Sequence, residues 1–167
     1  PTEAPGRHRA LKGHERIAEV VMVDQSPIGR TTRSNPASYV GAFDAIRTLF
    51  SAAPAALERR YPAGTFSFNS GNGRCPACSG NGFERVEMQF LSDVYLRCPD
   101  CDGRRYRPEV LEVKLEGPRG QMKSVADVLD MTVSEALAFF EGSRDVASAL
   151  RPLADVGLDY LRLGQPV

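Results

Sequence analysis

The four cysteines of this 167-residue sequence form two pairs, and each pair has two residues between its members. Cys75 and Cys78 make the first pair, Cys98 and Cys101 make the second, and 19 residues separate the two. Zinc takes four ligands at tetrahedral corners, and a two-residue spacer lets one tight turn present two sulfurs. The pattern therefore predicts a structural zinc ion, one per chain, held by four thiolates.

The residues around the cysteines favour this interpretation over three others. Gly80 and Gly103 follow the two pairs at the same offset, and each permits the positive φ of a tight turn. A redox pair is typical of a strand-to-helix junction, disulfides are typical of secreted chains, and a catalytic zinc usually has a histidine or carboxylate ligand. His8 and His14 lie far from the cysteines in the sequence and are expected to be exposed to solvent.

Basic and aromatic side chains flank both cysteine pairs. The arginines are Arg74, Arg104, Arg105 and Arg107, and the interleaved aromatic residues are Phe83, Tyr95 and Tyr106. This mixture suits phosphate contacts combined with base stacking. It equally suits a self-contained module in which the arginines offset the negative charge of a zinc–thiolate centre. Residue types alone leave both interpretations open.

Charge is distributed unevenly along a chain that has 21 basic and 21 acidic side chains. Residues 1–74 carry a net charge of +4, residues 75–108 are neutral, and residues 109–167 carry −4. Neutrality excludes a strongly basic protein, but the basic first part leaves a nucleic-acid partner possible. The apolar runs are too short for a membrane span, and no secretory signal opens the chain. Because Pro1 is not a methionine, we expect a piece of a longer protein.

Hydrophobic spacing predicts the elements that would position the cysteines. Residues 17–23 form a β-branched run that predicts a buried strand. Ser34 or Asn35 should cap a helix that has Pro36 at its first position. The stripe of Tyr39, Phe43, Ile46 and Phe50 then predicts that one face of this helix is buried in the core. A shorter helix is expected over residues 55–60.

The second half of the chain is predicted to contain a hairpin and then helices. Alternation at Val86, Met88 and Phe90 predicts a strand, with residues 94–97 as its partner, so that the two cysteine pairs meet. Residues 110–115 predict another strand, and residues 117–120 predict a turn. The helical candidates are 125–129, a segment capped by Thr132 with Glu135, and a segment capped by Ser143, interrupted or restarted at Pro152 and ended by Gly157.

Motifs along nearly the whole chain resemble the UvrA family, the damage-recognition ATPases of the UvrABC excinuclease. The similarity begins at residues 23–36 (VDQSPIGRTTRSNP), where Thr32 stands at a position that is commonly proline in the family. It continues through GTFSFN at 64–69, GRCPACSGNG at 73–82 and DVYLRC at 93–98. It ends with ADVLDMT at 126–132 and DVGLDYLRLGQP at 155–166.

The resemblance implies a fragment of the second half of an ABC-type ATPase, between its Walker A loop and its ABC signature. The parent would dimerise, survey double-stranded DNA for damage in the cytoplasm and load a UvrB-like subunit in nucleotide excision repair. Gln25 resembles the Q-loop glutamine, which senses the metal and the γ-phosphate, while Arg30 and Arg33 match positions that contact DNA phosphates. Arg74, Arg104 and Arg105 complete the expected DNA-binding set. The chain contains no phosphate loop and no L-S-G-G-E signature, so ATP and Mg²⁺ belong to the full-length parent.

The expected fold class is α+β, with a zinc-ribbon-type hairpin inserted in a mostly helical body. Residues 1–24 would be a loop and strand of the ATP-binding core, and 25–72 the Q-loop-like connector with helices. Residues 73–108 would be the zinc module, and 109–167 a strand and helices that lead toward the signature. The alternatives are a protein-interaction platform and a chaperone-type zinc module, since residues 75–82 also resemble the repeat of J-domain cochaperones. That family has four repeats, whereas this chain has two and the second departs at Arg105.

Overall fold

The computed structural model of the chain describes residues 6–23, 33–90 and 92–166. This part combines short helices with two small antiparallel sheets, in agreement with the expected mixture of helix and strand. The helices are α1 (Pro36–Tyr39), α2 (Ala42–Ala52), α3 (Pro54–Glu58), α4 (Pro108–Leu111), α5 (Val125–Asp130), α6 (Val133–Phe139) and α7 (Arg144–Asp155). The strands are β1 (Phe83–Val86), β2 (Val94–Arg97), β3 (Lys114–Glu116) and β4 (Met122–Ser124), and 3₁₀ turns occupy His14–Arg16 and Ala63–Phe66. Among the described helices, none has the length and apolar character needed to cross a membrane.

The capped helix expected after residue 34 is present but divided in two. The side chain of Asn35 accepts a hydrogen bond from the backbone N–H of Ser38 (2.9 Å), and Pro36 occupies the first helical position. Gly41 adopts a left-handed conformation, with φ of 76°, and separates α1 from α2. The stripe is consequently buried only from Phe43 onward, while Tyr39 on α1 remains 66% exposed.

The buried strand predicted over residues 17–23 is wrong for this structure. The segment has no regular secondary structure, and Val20 and Val23 are 81% and 89% exposed. A strand needs a neighbour that accepts its backbone hydrogen bonds, and no strand in the described ranges pairs with these residues. The β-branched composition alone therefore does not fix the conformation here.

The predicted hairpin after the first cysteine pair is confirmed, with shorter strands. Phe83 pairs with Arg97 and Val86 pairs with Val94 in the antiparallel β1–β2 sheet. Met88 and Phe90 lie beyond the end of β1, and Phe90 is 94% exposed. The alternation of residue types continues past the point where the strands still pair.

The strand predicted over residues 110–115 is wrong in its first half. Pro108 starts the short helix α4. Val110 on this helix and Val113 just beyond it are both buried, and the Val113 N–H donates to the Val110 carbonyl at 3.2 Å, which closes a turn. The strand β3 begins only at Lys114 and pairs with β4 across the predicted 117–120 turn. The strand β4 was not expected from the sequence.

Capping boxes start two of the three C-terminal helices that the structure describes, α5 and α6. Ser124 and Asp127 form a capping box at α5, and Thr132 and Glu135 form the predicted one at α6. Ser143 stands at the N-cap position of α7 without a capping hydrogen bond from its side chain, and α7 continues through Pro152. Gly157, at φ of 79°, ends this helix: its N–H donates to the Ala154 carbonyl and the next N–H reaches the Leu153 carbonyl.

An apolar core joins the helices to the segment before the first cysteine. The Phe50 and Phe66 rings lie 5.3 Å apart, and the Phe43 and Phe68 rings 4.9 Å apart. Tyr106 is fully buried beside them and donates its hydroxyl proton to the Phe66 carbonyl at 2.8 Å. Since Tyr106 closely follows the second cysteine pair, the cysteine turns are anchored to this core.

Candidate metal centre

Both cysteine pairs lie in tight turns built from left-handed residues. Ser79 and Gly80 have φ of 51° and 86°, and at the matching positions Asp102 and Gly103 have 48° and 75°. This conformation costs little for glycine and is uncommon for other residues, so the predicted role of the two glycines is confirmed. Each turn directs two sulfurs toward the other turn.

The four sulfur atoms form one buried cluster. All of them lie within 4.8 Å of one another, with Cys75 and Cys98 at 4.0 Å and Cys78 and Cys101 at 3.7 Å. A tetrahedron with Zn–S bonds of ~2.3 Å requires sulfur separations of about 3.8 Å. Since the cysteines are no more than 8% exposed, the arrangement can hold a metal ion without a further ligand.

Backbone pairing between the turns holds the cluster together. The Cys75 N–H donates to the Arg105 carbonyl (2.9 Å), and the Cys98 N–H donates to the Gly82 carbonyl (3.1 Å). Next to the Cys75–Arg105 hydrogen bond, Arg74 and Tyr106 form an antiparallel β-bridge. The β1–β2 hairpin and this bridge thus bring the two cysteine pairs together.

The electrostatic environment differs among the sulfurs. Burial raises the pKa of the Cys75 thiol and raises the pKa of Cys101 to about 12. Burial acts in the same direction on Cys78, but hydrogen bonds from the Gly82 and Gly80 N–H groups outweigh it and leave the pKa of Cys78 below its ordinary value. The Gly82 nitrogen lies 3.2 Å from the Cys78 sulfur. Burial therefore disfavours the thiolate at Cys75 and Cys101 unless a cation compensates the charge.

Gly82 has a steric role that its place in the motif only partly indicates. Its φ is 81°, and a Cβ at this position would lie 2.8 Å from the Gly103 carbonyl oxygen and 3.0 Å from Cγ of Arg105. The two turns therefore pack against each other with room only for a glycine. The repeated glycine offsets are visible in the sequence, but the contact between the turns is not.

Two of the predicted DNA-binding arginines bind backbone carbonyls near the first turn. Arg74 donates to the carbonyls of Gly71, Asn69 and Ser79 at 3.1 to 3.4 Å. Arg33 donates to the Asn81 side chain (2.8 Å) and also reaches the Asn69 carbonyl (3.3 Å). These contacts tie the first cysteine turn to the segment that precedes it.

The other predicted basic residues have different surroundings. Arg104 is exposed and lies 3.1 Å from Asp127, whereas the Arg105 guanidinium is half-buried over the Phe68 ring. Arg30 and the Q-loop-like Gln25 lie outside the described residues. The arginines that the structure describes are therefore divided between groups that face solvent and groups that pack internally.

The aromatic residues considered for stacking also divide in this way. Phe83 and Tyr95 pack edge to face on the hairpin, 5.2 Å apart, and Tyr95 is 56% exposed. Tyr106 is fully buried in the core, so the interpretation of it as a stacking residue is wrong. His8 and His14 are exposed, as expected, and do not belong to the cysteine cluster.

Comparisons with known proteins agree along nearly the whole chain. No family model matches the sequence. UvrABC system protein A of Clostridium perfringens is 54% identical over 98% of this chain and 17% of that protein, and its namesake in Thermus thermophilus is 54% identical over 97% and 16%. The crystal structure of UvrA2 from Deinococcus radiodurans is similar over 86% of this chain and 17% of that one, with a TM-score of 0.79 and 53% identity. The chain spans 16–17% of the length of these curated relatives and belongs to the UvrA family as a segment of a UvrA protein.

Proposed function

We propose that this chain is the zinc-containing, DNA-binding region of a UvrA-like ATPase that recognises damage in nucleotide excision repair. The observation that carries the proposal is the chain-long identity of 54% with proteins named UvrABC system protein A. The buried four-cysteine cluster supports the zinc-containing part independently, because it is a property of this chain's own residues.

The metal in this proposal is one structural zinc ion. Four thiolates without histidine or carboxylate are typical of closed structural sites, and the sulfur separations fit tetrahedral zinc. When bound, the ion would supply a cross-link between the two turns and no open coordination position. The β1–β2 hairpin between the pairs would then be a zinc-ribbon-type module, corresponding to residues 73–108.

The DNA surface would combine the basic connector with the exposed side of this module. Arg30 and Arg33 belong to the basic first part of the chain. Arg104 is exposed, and a DNA phosphate could replace Asp127 as the partner of its guanidinium. Arg74 would act on the interface indirectly by bracing the first cysteine turn, and Arg105 by tying the second turn to the Gly164 carbonyl. Such contacts bind DNA through its phosphates without sequence preference.

In the full-length parent we assign the remaining functions by family resemblance. Residues 1–24 would join the ATP-binding core, which would also give the exposed apolar run at 17–23 a strand to pair with. Gln25 would sense the nucleotide and Mg²⁺. Residues 25–72 and 109–167 would form the helical body. The parent would also form a homodimer and bind a UvrB-like subunit in the cytoplasm.

A salt-dependent titration of duplex DNA with the full-length parent tests the DNA-binding role. Alanine at both Arg30 and Arg33 should weaken binding and lower the magnitude of the log K against log salt slope by about 1.8, since each lost phosphate contact removes ~0.9. Alanine at both Arg144 and Arg151 is a charge-matched control on exposed positions of α7. Unchanged affinity and slope in the first variant would exclude these arginines from the interface.

A protein-interaction role without DNA binding is the second candidate. The hairpin region exposes apolar side chains, notably Phe90 at 94% and Leu96 at 52%, which suits contact with another protein. If this second role is correct, replacing both with serine in the full-length parent should abolish capture of a UvrB-like subunit, while the DNA titration stays unchanged. Retained capture together with weaker DNA binding would favour the first proposal.

A further inference from the structure

The second cysteine turn carries an arginine where the first carries a glycine. Gly82 and Arg105 each follow the last cysteine of their pair by four residues, and both are left-handed, with φ of 81° and 71°. A residue with a Cβ atom rarely adopts this backbone conformation, and it does so mostly where the surrounding structure fixes it. The contacts of Arg105 should therefore account for its left-handed backbone.

The backbone of Arg105 contacts both cysteine turns. Its carbonyl accepts the Cys75 N–H at 2.9 Å, and it directly follows Arg104, whose N–H donates to the Cys101 carbonyl at 2.8 Å. The position of this residue's backbone therefore depends on the relative position of the two turns.

The side chain of Arg105 reaches away from the cysteines into the body of the molecule. Its guanidinium carbon lies 5.3 Å from the centroid of the buried Phe68 ring, and Nη2 donates to the Gly164 carbonyl at 2.9 Å. Nη1 is enclosed and has no hydrogen-bond partner in the described part of the chain, and burial lowers the pKa of this guanidinium. A half-buried, planar cation held at two points fixes the distance between the elements that it touches.

The segment that contains Gly164 is itself tied to several elements. The Leu163 N–H donates to the Met131 carbonyl (2.9 Å), the Gly164 N–H donates to the Leu129 carbonyl (2.7 Å), and the Leu163 carbonyl accepts the Ala37 N–H (3.1 Å). A Cβ at Gly164 would lie 2.9 Å from Cβ of Leu129. Residues 161–164 therefore form a tightly packed strap between α1 and the junction of α5 with α6.

We propose that Arg105 is a positioning residue that couples the occupancy of the four-cysteine metal centre to the order of the 161–164 strap. With the metal bound, the two turns are fixed, the left-handed Arg105 backbone is held between them, and its guanidinium secures the Gly164 carbonyl. Without the metal, the turns separate and the strap loses that hydrogen bond. This inference rests on the proposed function only in requiring that the cysteines bind a metal.

Hydrogen exchange at the Leu163 and Gly164 amides measures this coupling. The exchange rates are compared in the full-length parent with zinc bound and after the zinc has been removed by a chelator. In the wild-type protein, zinc should slow exchange of these amides by at least about tenfold. This factor corresponds to the stabilisation that one hydrogen bond from a charged donor provides against local opening. Arg105→Gly keeps the left-handed backbone without strain but removes the guanidinium, so these amides should exchange at the same fast rate with and without zinc. Arg105→Lys keeps the charge but not the planar two-point contact, and should recover only part of the effect.

Two controls separate coupling from general stability and from failure of the metal site. Arg151→Ala removes an exposed cation of α7, away from the cysteine turns, and should leave the zinc effect unchanged. The variants should still bind one zinc by elemental analysis, because no ligand is altered. If Arg105→Gly and Arg105→Lys both retain the full zinc effect on the strap, the coupling is wrong although the metal centre stands. If the wild-type protein binds no zinc, the metal centre and the coupling are both wrong.

Discussion

Substitution of Gly82 by alanine is the most informative change at the metal centre. The residue donates its N–H to the Cys78 sulfur at 3.2 Å and accepts the Cys98 N–H at 3.1 Å, so it touches a ligand from each pair. Its φ is 81°, and the added Cβ would lie 2.8 Å from the Gly103 carbonyl oxygen. This oxygen belongs to the backbone and cannot move away by changing a rotamer.

The expected magnitude follows from two separable costs. A left-handed conformation costs a residue with Cβ roughly 1–2 kcal/mol. Packing a methyl group against a fixed backbone carbonyl adds about 1–3 kcal/mol. We therefore expect Gly82→Ala to lower the free energy of unfolding of the zinc-bound protein by about 2–5 kcal/mol. It should also weaken zinc binding, since movement of Gly82 displaces two ligands.

Two other glycines provide matched controls. Gly41 has φ of 76° but open space around its Cβ position, so Gly41→Ala should show only the conformational cost of roughly 1–2 kcal/mol. Gly142 has open space and no left-handed conformation, and its substitution should be nearly neutral. Chemical denaturation gives the unfolding free energies, and competition with a chromogenic chelator gives the zinc affinities. Equal destabilisation by Gly82→Ala and Gly41→Ala, with wild-type zinc affinity in both, would refute the close packing of the two turns.

Two further predictions concern the body that supports the module. Tyr106→Phe should lower the free energy of unfolding by about 1–3 kcal/mol, because the buried Phe66 carbonyl loses its donor. Tyr95→Phe on the exposed hairpin is the control and should change it little. Equal effects of the two variants in chemical denaturation would contradict the buried hydrogen bond. Burial of Asp127 opposes ionisation, but hydrogen bonds from Ser124 dominate and hold the pKa of Asp127 below its ordinary value of 3.8. A depressed folded-state pKa stabilises the protein above pH 3.8, and this contribution is lost as the pH falls through the folded-state pKa. Asp127→Asn should therefore lower the free energy of unfolding at pH 7 by at most about 1 kcal/mol, because solvent screens this partly exposed carboxylate. The loss should shrink in acid, as denaturation at several pH values would show, and a loss independent of pH would exclude this cause.

Local sequence signals predicted the cysteine cluster and the capped starts of α1 and α6. Cysteine spacing is set by the coordination geometry of a metal ion, and a cap such as Asn35 or Thr132 bonds to a residue only three positions away. Such features depend on a few neighbouring residues and little on the rest of the fold. The same reasoning holds for Gly157, which ends α7 through contacts within its last turn.

Features that depend on residues far apart in the chain could not be predicted from local sequence signals. In the sequence, Arg105 resembles a surface cation beside the four-cysteine cluster, yet its hydrogen-bond partner Gly164 lies 59 residues away in the chain. Val110 and Val113 suit a strand by composition, but Pro108 and the core select a helical turn there. The 17–23 run has strand composition without a strand to pair with in the described residues. In each case tertiary contacts decide the outcome.

The zinc content of freshly reduced protein is the most direct test of the metal centre, on which the module, its proposed DNA surface and the Arg105 coupling all depend. Elemental analysis should give one zinc per chain, and serine at both Cys75 and Cys98 should abolish it, because each turn then retains a single sulfur. Ala77→Ser, at an exposed position inside the first cysteine turn, is the matched control and should retain one zinc. Absence of zinc from the wild-type protein, or full zinc content in the double cysteine variant, would contradict the assignment.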